Sequence, residues 1–469
     1  ADEQGNPAAR PPAVAKEARE TQREVFASRK RASPKEQKLY LKSLKCTVTC
    51  GAEALRPQPG AGLADACRAD GFVNREALAS AVAAKGGVRP EEVVRYLNAE
   101  LRKRLCVLAT PGEEGKPGEP DYRELFDAGC DICGTGTLRS SSYDESKIAA
   151  QLAKSAAAEV TKKDTQKPRF VAGVLGPTSH LLSKPGAGDP SQRTATFEDL
   201  VATYAQQVRG LVEGGADLLA LEAVADALNA KAAVFAVDEY FQQSGRERLP
   251  LLVTAAISGG RLPSGQSVEA FLVSIRHAKP LSVGISGALA KGQLSGACRA
   301  LVDSSLSWCH ASAGPGEGAD TLSSEMAELA SAKQINLVGV CGASAPLVAA
   351  AVRLAQGASP RSLPQLPRSP PLQLSGLEVH TVRPDDGFEM VGQRCNLQGC
   401  GQFKGFVDAY KYTKDGNKWE NALNVCVQQS KAGADILDFN FDSGMIDSKW
   451  AMGKFMRLCS SDDRVARMP

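Results

Sequence analysis

Short apolar runs of strand-like residues, most of them closing in Gly, Ser, Thr or Cys, recur between residues 46 and 343. The first four read CTVTCG at 46–51, GCDICGT at 129–135, FVAGVLGPT at 170–178 and DLLALEAV at 217–224. The next four read LLVTAAIS at 251–258, LSVGISGA at 281–288, LSWCHAS at 306–312 and NLVGVCGA at 336–343. Amphipathic helical patterns lie between most of them, such as FEDLVATYAQQVRGLVEGG at 197–215 and ALNAKAAVFAVDEYFQQSG at 227–245. Strands that are apolar throughout, alternating with helices, predict a parallel sheet with both faces covered. Eight such units in about 300 residues predict an α/β chain folded as a closed (β/α)8 TIM barrel rather than an open doubly wound sheet. In that fold the chemistry sits at the C-terminal ends of the strands, so the small and polar run endings are where a site is expected.

The barrel is expected over 46–356. The stretch GASPRSLPQLPRSPPLQLS at 357–375 is too rich in Pro for a helix or a central strand, and it predicts an extended linker over 357–380. Beyond it, 381–469 restarts the same grammar: FEMVGQRCN as a strand, WENALNVCVQQSKAGA as a helix and DILDFNFDSG as a second strand. A barrel takes ~250 residues, so this stretch reads as a truncated second (β/α) barrel segment. Residues 1–45 hold 11 Lys/Arg against 6 Asp/Glu and little apolar content, and read as a charged extension, disordered or helical.

Over the whole chain 56 basic residues face 53 acidic ones, a balance that argues against nucleic acid or a membrane surface as partner. No run approaches the ~18 apolar residues of a membrane helix. Thirteen cysteines without a regular framework are expected to be free thiols in a reducing, cytoplasmic setting.

Several motifs in one order resemble the cobalamin-dependent methionine synthase family. They are VAGVLGPT at 171–178, LVEGGADLLALEAVADALNAKAAVFAV at 211–237, SGQSVEAF at 264–271 and PRSLPQLPRSPPLQLSGLE at 360–378. VGQRCN at 391–396 and ALNVCVQQSKAGADILDFNFDSGMIDSKWAMGKF at 422–455 continue the series. The resemblance covers roughly residues 125–469 and fades upstream, where KCTVTCGAEAL at 45–55 stands for the family's first strand and LCVLATP at 105–111 falls in a later position. It implies a homocysteine-binding barrel followed by the start of a pterin-binding, folate barrel. A cobalamin module is expected downstream or in trans.

The family activates the homocysteine thiol with zinc held by three cysteines, one ending strand six and a Cys-Cys pair ending strand eight. Here strand six reads VGISGALA and places Gly287, beside Ser286, at the first ligand position. Strand eight reads VGVCGASAP and places Cys341 and Gly342 at the other two. One thiolate and the substrate sulfur cannot fill zinc's tetrahedral shell. Cys309 and His310, or Cys130 and Cys133, would have to join Cys341, although a Cys-x-x-Cys spacing within a strand puts Cys130 and Cys133 on opposite faces.

The family's acidic and amide ending of strand two becomes Gly134, Thr135, Gly136 and Thr137, and the strand-one Asp becomes Cys50. The resemblance implies Glu222, Asp226 and Thr135 as homocysteine-binding residues, with Glu222 on the ammonium group, while Gly176, Pro177 and Thr178 shape the pocket. In the folate segment Gly392, Gln393, Arg394, Cys395 and Asn396 replace Gly-Glu-Arg-x-Asn, and Asp438, Asn440 and Asp442 are retained. Amides and carboxylates suit the donor and acceptor edge of a pterin, so Gln393, Asn396, Asp438, Asn440 and Asp442 are the implied pterin-binding residues. The implied activity is methyl transfer from 5-methyltetrahydrofolate through methylcobalamin to homocysteine. Two alternatives stand beside it: a non-catalytic binding or scaffold module on the same barrel, and a homocysteine S-methyltransferase with another methyl donor.

Overall fold

The computed structural model describes residues 73–84, 87–112, 121–137, 142–185, 189–287, 293–314, 319–365, 370–413 and 416–469. The charged extension 1–45 and the run at 46–51 lie outside the described residues. The apolar runs form β2 (Ile132–Gly134), β3 (Phe170–Leu175), β4 (Leu218–Val224), β5 (Leu251–Ala256), β6 (Ser282–Gly287), β7 (Trp308–Ala313) and β8 (Leu337–Ala343). With β1 (Cys106–Pro111) they pair in parallel and in sequence order, and β8 closes on β1 through pairs such as Leu108 with Gly339.

Helices α1 (Arg75–Ala83) and α2 (Pro90–Leu101) precede β1. After β1 to β4 come α3 (Tyr122–Asp127), α4 (Tyr143–Lys163), α5 (Phe197–Glu213) and α6 (Ala227–Ser244). After β5 to β8 come α7 (Val268–Ile275), α8 (Gln293–Ser304), α9 (Ala319–Ser331) and α10 (Ala345–Gln356). Ser142, Thr196, Asp226 and Ser267 cap α4, α5, α6 and α7 by accepting from the N–H three residues on, which fixes where each strand-end loop turns into its helix.

The expected first strand is corrected: β1 is LCVLATP, not the run at 46–51. A buried ionic clamp sets its place. Asp131, just before β2, accepts from the Val107 N–H at 2.8 Å and pairs with Arg104 at 2.8 Å and Lys167 at 3.3 Å. The stretch before β1 also belongs to the barrel. Leu78, Val82, Val93, Tyr96, Leu97 and Leu101 of α1 and α2 pack into one apolar cluster with the inward residues Leu108, Ile132, Phe170, Leu218, Leu252 and Trp308. These two helices plug the N-terminal end of the barrel, and Trp308 Nε1 donates to Asn98 Oδ1 at 2.8 Å within the plug.

Higher in the barrel the inward layer turns polar. His310 is buried between Thr254 Oγ1 and Ser282 Oγ, 2.8 Å from each. Gly284 makes the room, since a Cβ there would lie 2.1 Å from the imidazole ring.

The linker expected over 357–380 is also corrected. Arg361 is buried beneath the barrel and donates to the carbonyls of Ser307, Val302 and Ser305 at 3.1, 2.9 and 2.8 Å. An antiparallel hairpin of β9 (Leu372–Ser375) and β10 (Val379–Val382) follows. Its turn is bonded to the barrel: the Ser267 N–H donates to the Leu377 carbonyl at 2.9 Å, and Gln266 Nε2 to the Gly376 carbonyl at 3.0 Å. Proline density marked an extended path, but among its described residues the backbone groups of Arg361, Leu377 and the hairpin strands are paired rather than left to solvent.

The C-terminal segment holds β11 (Val391–Asn396), α11 (Gly401–Thr413), α12 (Gly416–Lys431), β12 (Ile436–Asn440), α13 (Ser448–Cys459) and α14 (Asp463–Ala466). β11 and β12 form a two-stranded parallel sheet packed on helices through Cys395, Cys426, Leu437 and Phe455. The barrel and this segment belong to one compact unit. Among the described residues no helix is long and apolar enough to cross a membrane.

Candidate active site at the strand ends

Three strands bring one polar side chain each to a common point at the C-terminal end of the barrel. Thr110 of β1 donates from Oγ1 to Glu222 Oε1 of β4 at 2.8 Å, and the Cys341 thiol of β8 lies 3.5 Å from Glu222 Oε2. Glu222 is 2 % exposed. Burial raises its pKa, while the hydrogen bonds from Thr110 and Cys341 pull the other way. The Cys341 thiol is held well above its ordinary range, first by burial and then by the neighbouring Glu222 carboxylate. Burial thus shifts both groups toward their neutral forms, and a nearby cation would favour the charged carboxylate. Among the described residues Glu222 has no ionic partner.

Local backbone geometry shapes both strand ends. Ala223, the residue after Glu222, has φ +53°, and the β4–β5 register slips between Leu221 and Val224. A non-glycine residue in the left-handed region at a bulge is a strained arrangement of the kind that clusters at functional sites. On β8 the register slips opposite Thr110 and Pro111, where Gly342 has φ +70°.

The homocysteine residues implied by resemblance divide into two groups. Glu222 points into the constellation just described. Asp226 is fully buried but committed elsewhere: Oδ1 accepts from the Asn229 N–H at 2.7 Å, and Oδ2 from the N–H groups of Leu182 and Ser183 at 2.8 and 3.4 Å. The Thr135 hydroxyl accepts from the Val174 N–H at 2.9 Å and bonds Thr137 at 2.8 Å, stitching β2 to β3. Thr110 was missed because the first strand was placed at 46–51; the signal was the polar ending of LCVLATP.

The three-thiolate zinc centre does not fit these residues. At Gly287 a Cβ would lie 2.6 Å from the Ile257 carbonyl oxygen, so a cysteine there needs the backbone to move. Gly342, at φ +70°, holds a conformation that L side chains rarely adopt. Cys309 is buried in the outer cluster between sheet and helices. His310 is fixed in the middle interior layer, paired in register with Leu337, four residues before Cys341. Cys130 and Cys133 also belong to the outer cluster. The expectation that their thiols oppose each other is corrected, since both side chains pack into that one cluster. Cys130 precedes β2, so strand alternation does not govern it. Among the described residues no group of three or more His, Cys, Asp or Glu side chains is placed to hold a metal ion.

In the C-terminal segment Asn396 and Asn440 are register partners at the ends of β11 and β12. Both amides serve turns: Asn396 Oδ1 accepts from Gln398 and Gly399 N–H at 2.8 and 2.9 Å, and Asn440 Oδ1 from the Asp442 N–H at 2.8 Å. Gln393, Asp438 and Asp442 are exposed. A separate groove of about 680 Å³ on the outer wall, lined by Ala330, Lys333 and Arg353, includes none of the strand-end residues.

Residues 122–355 match the model of a family described as homocysteine S-methyltransferase. This stretch is a homocysteine S-methyltransferase-family domain. Among solved structures, the chain is similar to the homocysteine methyltransferase MmuM from Escherichia coli. Its oxidised form shows 17 % identity over 53 % of this chain and 95 % of that one, with a TM-score of 0.43. Its metallated form shows 16 % identity over 54 % and 96 %, also with a TM-score of 0.43. The family match begins at α3 and ends in α10, so it takes in Glu222 and Cys341 but not Thr110.

Proposed function

We propose that the barrel binds homocysteine at the ends of β1, β4 and β8 as the acceptor of a methyl group. The observation that carries this reading is Glu222: a buried carboxylate with no cationic partner among the described residues, at the catalytic end of a homocysteine S-methyltransferase-family domain. A buried carboxylate left unpaired is costly, and the ammonium group of an amino acid supplies the missing charge. Thr110 holds one carboxylate oxygen in place, so the ammonium meets an oriented acceptor. Cys341 lies against the other oxygen, beside the position proposed for the substrate. No step is assigned to zinc.

The methyl donor is proposed as 5-methyltetrahydrofolate acting through methylcobalamin, in a cytoplasmic setting. The C-terminal segment supports this reading through the polar ends of β11 and β12, where Asn396 and Asn440 are register partners. A second reading is favoured by Gly287 and Gly342: the barrel binds the thiol amino acid without transferring a methyl group.

The test supplies L-homocysteine, methylcobalamin and methyl-labelled 5-methyltetrahydrofolate to the protein and follows labelled methionine. The main reading expects product from the wild type and its loss in Glu222→Gln. Homocysteine binding by calorimetry without product supports the second reading, and absence of both overturns the proposal.

A further inference from the structure

The loop that leaves β3 at the catalytic end of the barrel, described over 176–185 and 189–196, is gripped from two sides. The first grip comes from the exit of β4, four residues beyond Glu222. Asp226 accepts from the Leu182 and Ser183 N–H groups, while Asn229 Nδ2 donates to Thr178 Oγ1 at 2.7 Å and to the His180 carbonyl at 3.0 Å. Asn229 is itself held by the Tyr204 hydroxyl at 2.5 Å.

The second grip comes from α13 of the C-terminal segment through Arg193. Its Nε donates to the Leu182 carbonyl at 2.7 Å, and Nη2 donates to the Arg457 carbonyl at 2.8 Å and to Ser460 Oγ at 2.6 Å. Arg457 Nε returns a bond to the Ser191 carbonyl at 2.9 Å. Leu182 is thus held by its N–H from the barrel and by its C=O from Arg193. A guanidinium whose donors reach both a loop and a neighbouring helix fixes their relative position with one rigid plane.

We infer that Asp226 and Arg193 are positioning residues, through which α13 of the C-terminal segment sets the shape of the amino-acid site around Glu222. The inference rests on the reading of that site as homocysteine-binding. Asp226 therefore acts on the substrate through the loop and not by contact. The C-terminal segment has a role in acceptor binding that is separate from any pterin it takes.

The decisive variant is Arg457→Ala, which changes no residue of the barrel. Homocysteine affinity by calorimetry and amide exchange at residues 178–184 are measured on the full chain, beside Arg193→Ala and Asp226→Asn. A coupling of this kind is expected to weaken homocysteine binding about threefold in Arg457→Ala and about tenfold in Arg193→Ala. Exchange at Leu182 and Ser183 is expected to speed up by about tenfold in Arg193→Ala. The barrel's own exchange-protected strands should stay unchanged, which separates positioning from unfolding. Unchanged exchange at Leu182 and Ser183 overturns the clamp, and faster exchange with unchanged affinity overturns its link to the site. If the wild type binds no homocysteine, the reading of the site fails and the link falls with it. The exchange measurement still decides the clamp.

Discussion

Gly287 and Glu222 stand for opposite fates of a strand-end position. Glu222 places an acid at a strand end, and its place was legible because LLALEAV at 218–224 carries one charged residue inside an apolar run. Gly287 replaces an expected ligand, and the structure gives the reason it stays small: the Ile257 carbonyl occupies the space of a Cβ. Gly287→Cys is expected to destabilise the barrel by about 1–3 kcal/mol through overpacking, measured by urea unfolding, without a gain in bound zinc. Stable folding with stoichiometric zinc in that variant would contradict the fit drawn above. The role of Asp226 was not legible, because a sequence shows an acid near a site but not the backbone N–H groups that use it.

Among the elements, seven of the barrel strands could be read from apolar runs, whereas β1 could not be told from a competing run upstream. LCVLATP and CTVTCG are both short, apolar and closed by small residues. What selects LCVLATP is tertiary: Asp131, Arg104 and Lys167 tie the start of β1 to the start of β2, and such a clamp has no local pattern. Asp131→Asn leaves two cations facing a neutral amide and is expected to cost roughly 2–4 kcal/mol. The Asp131 pKa is held below its ordinary 3.8 by Arg104 and Lys167 against the cost of burial. Its contribution is therefore complete above that value and is lost as the pH falls below it. Unfolding midpoints should show the variant's deficit at neutral pH and a shrinking gap to wild type in strong acid. A constant gap would count against the clamp. The hairpin inside the expected linker was equally hidden, since proline density reports an extended path but not what pairs with it.

For the whole molecule, the plugged bottom, polar middle and acidic mouth divide the barrel into layers with different chemistry. His310 in the middle layer is kept neutral by burial, with its pKa lowered from 6.5 to about 4. The unfolded chain binds that proton first, so stability is greatest above the ordinary histidine value and falls as the pH drops from 6.5 toward 4. A shift of this size corresponds to roughly 3 kcal/mol, and His310→Gln should remove most of that slope in urea midpoints measured across the interval. An unchanged slope would place the pH sensitivity elsewhere.

The central claim is that a metal-free mouth built on Glu222 receives an amino-acid thiol. Calorimetric titration of L-homocysteine into chelator-treated protein, wild type beside Glu222→Gln, tests it most directly. The account predicts binding by the wild type without added zinc and a loss of at least about tenfold in the variant, the scale of one buried ionic contact. Binding that appears only on adding zinc, or that is equal in the two proteins, would contradict it.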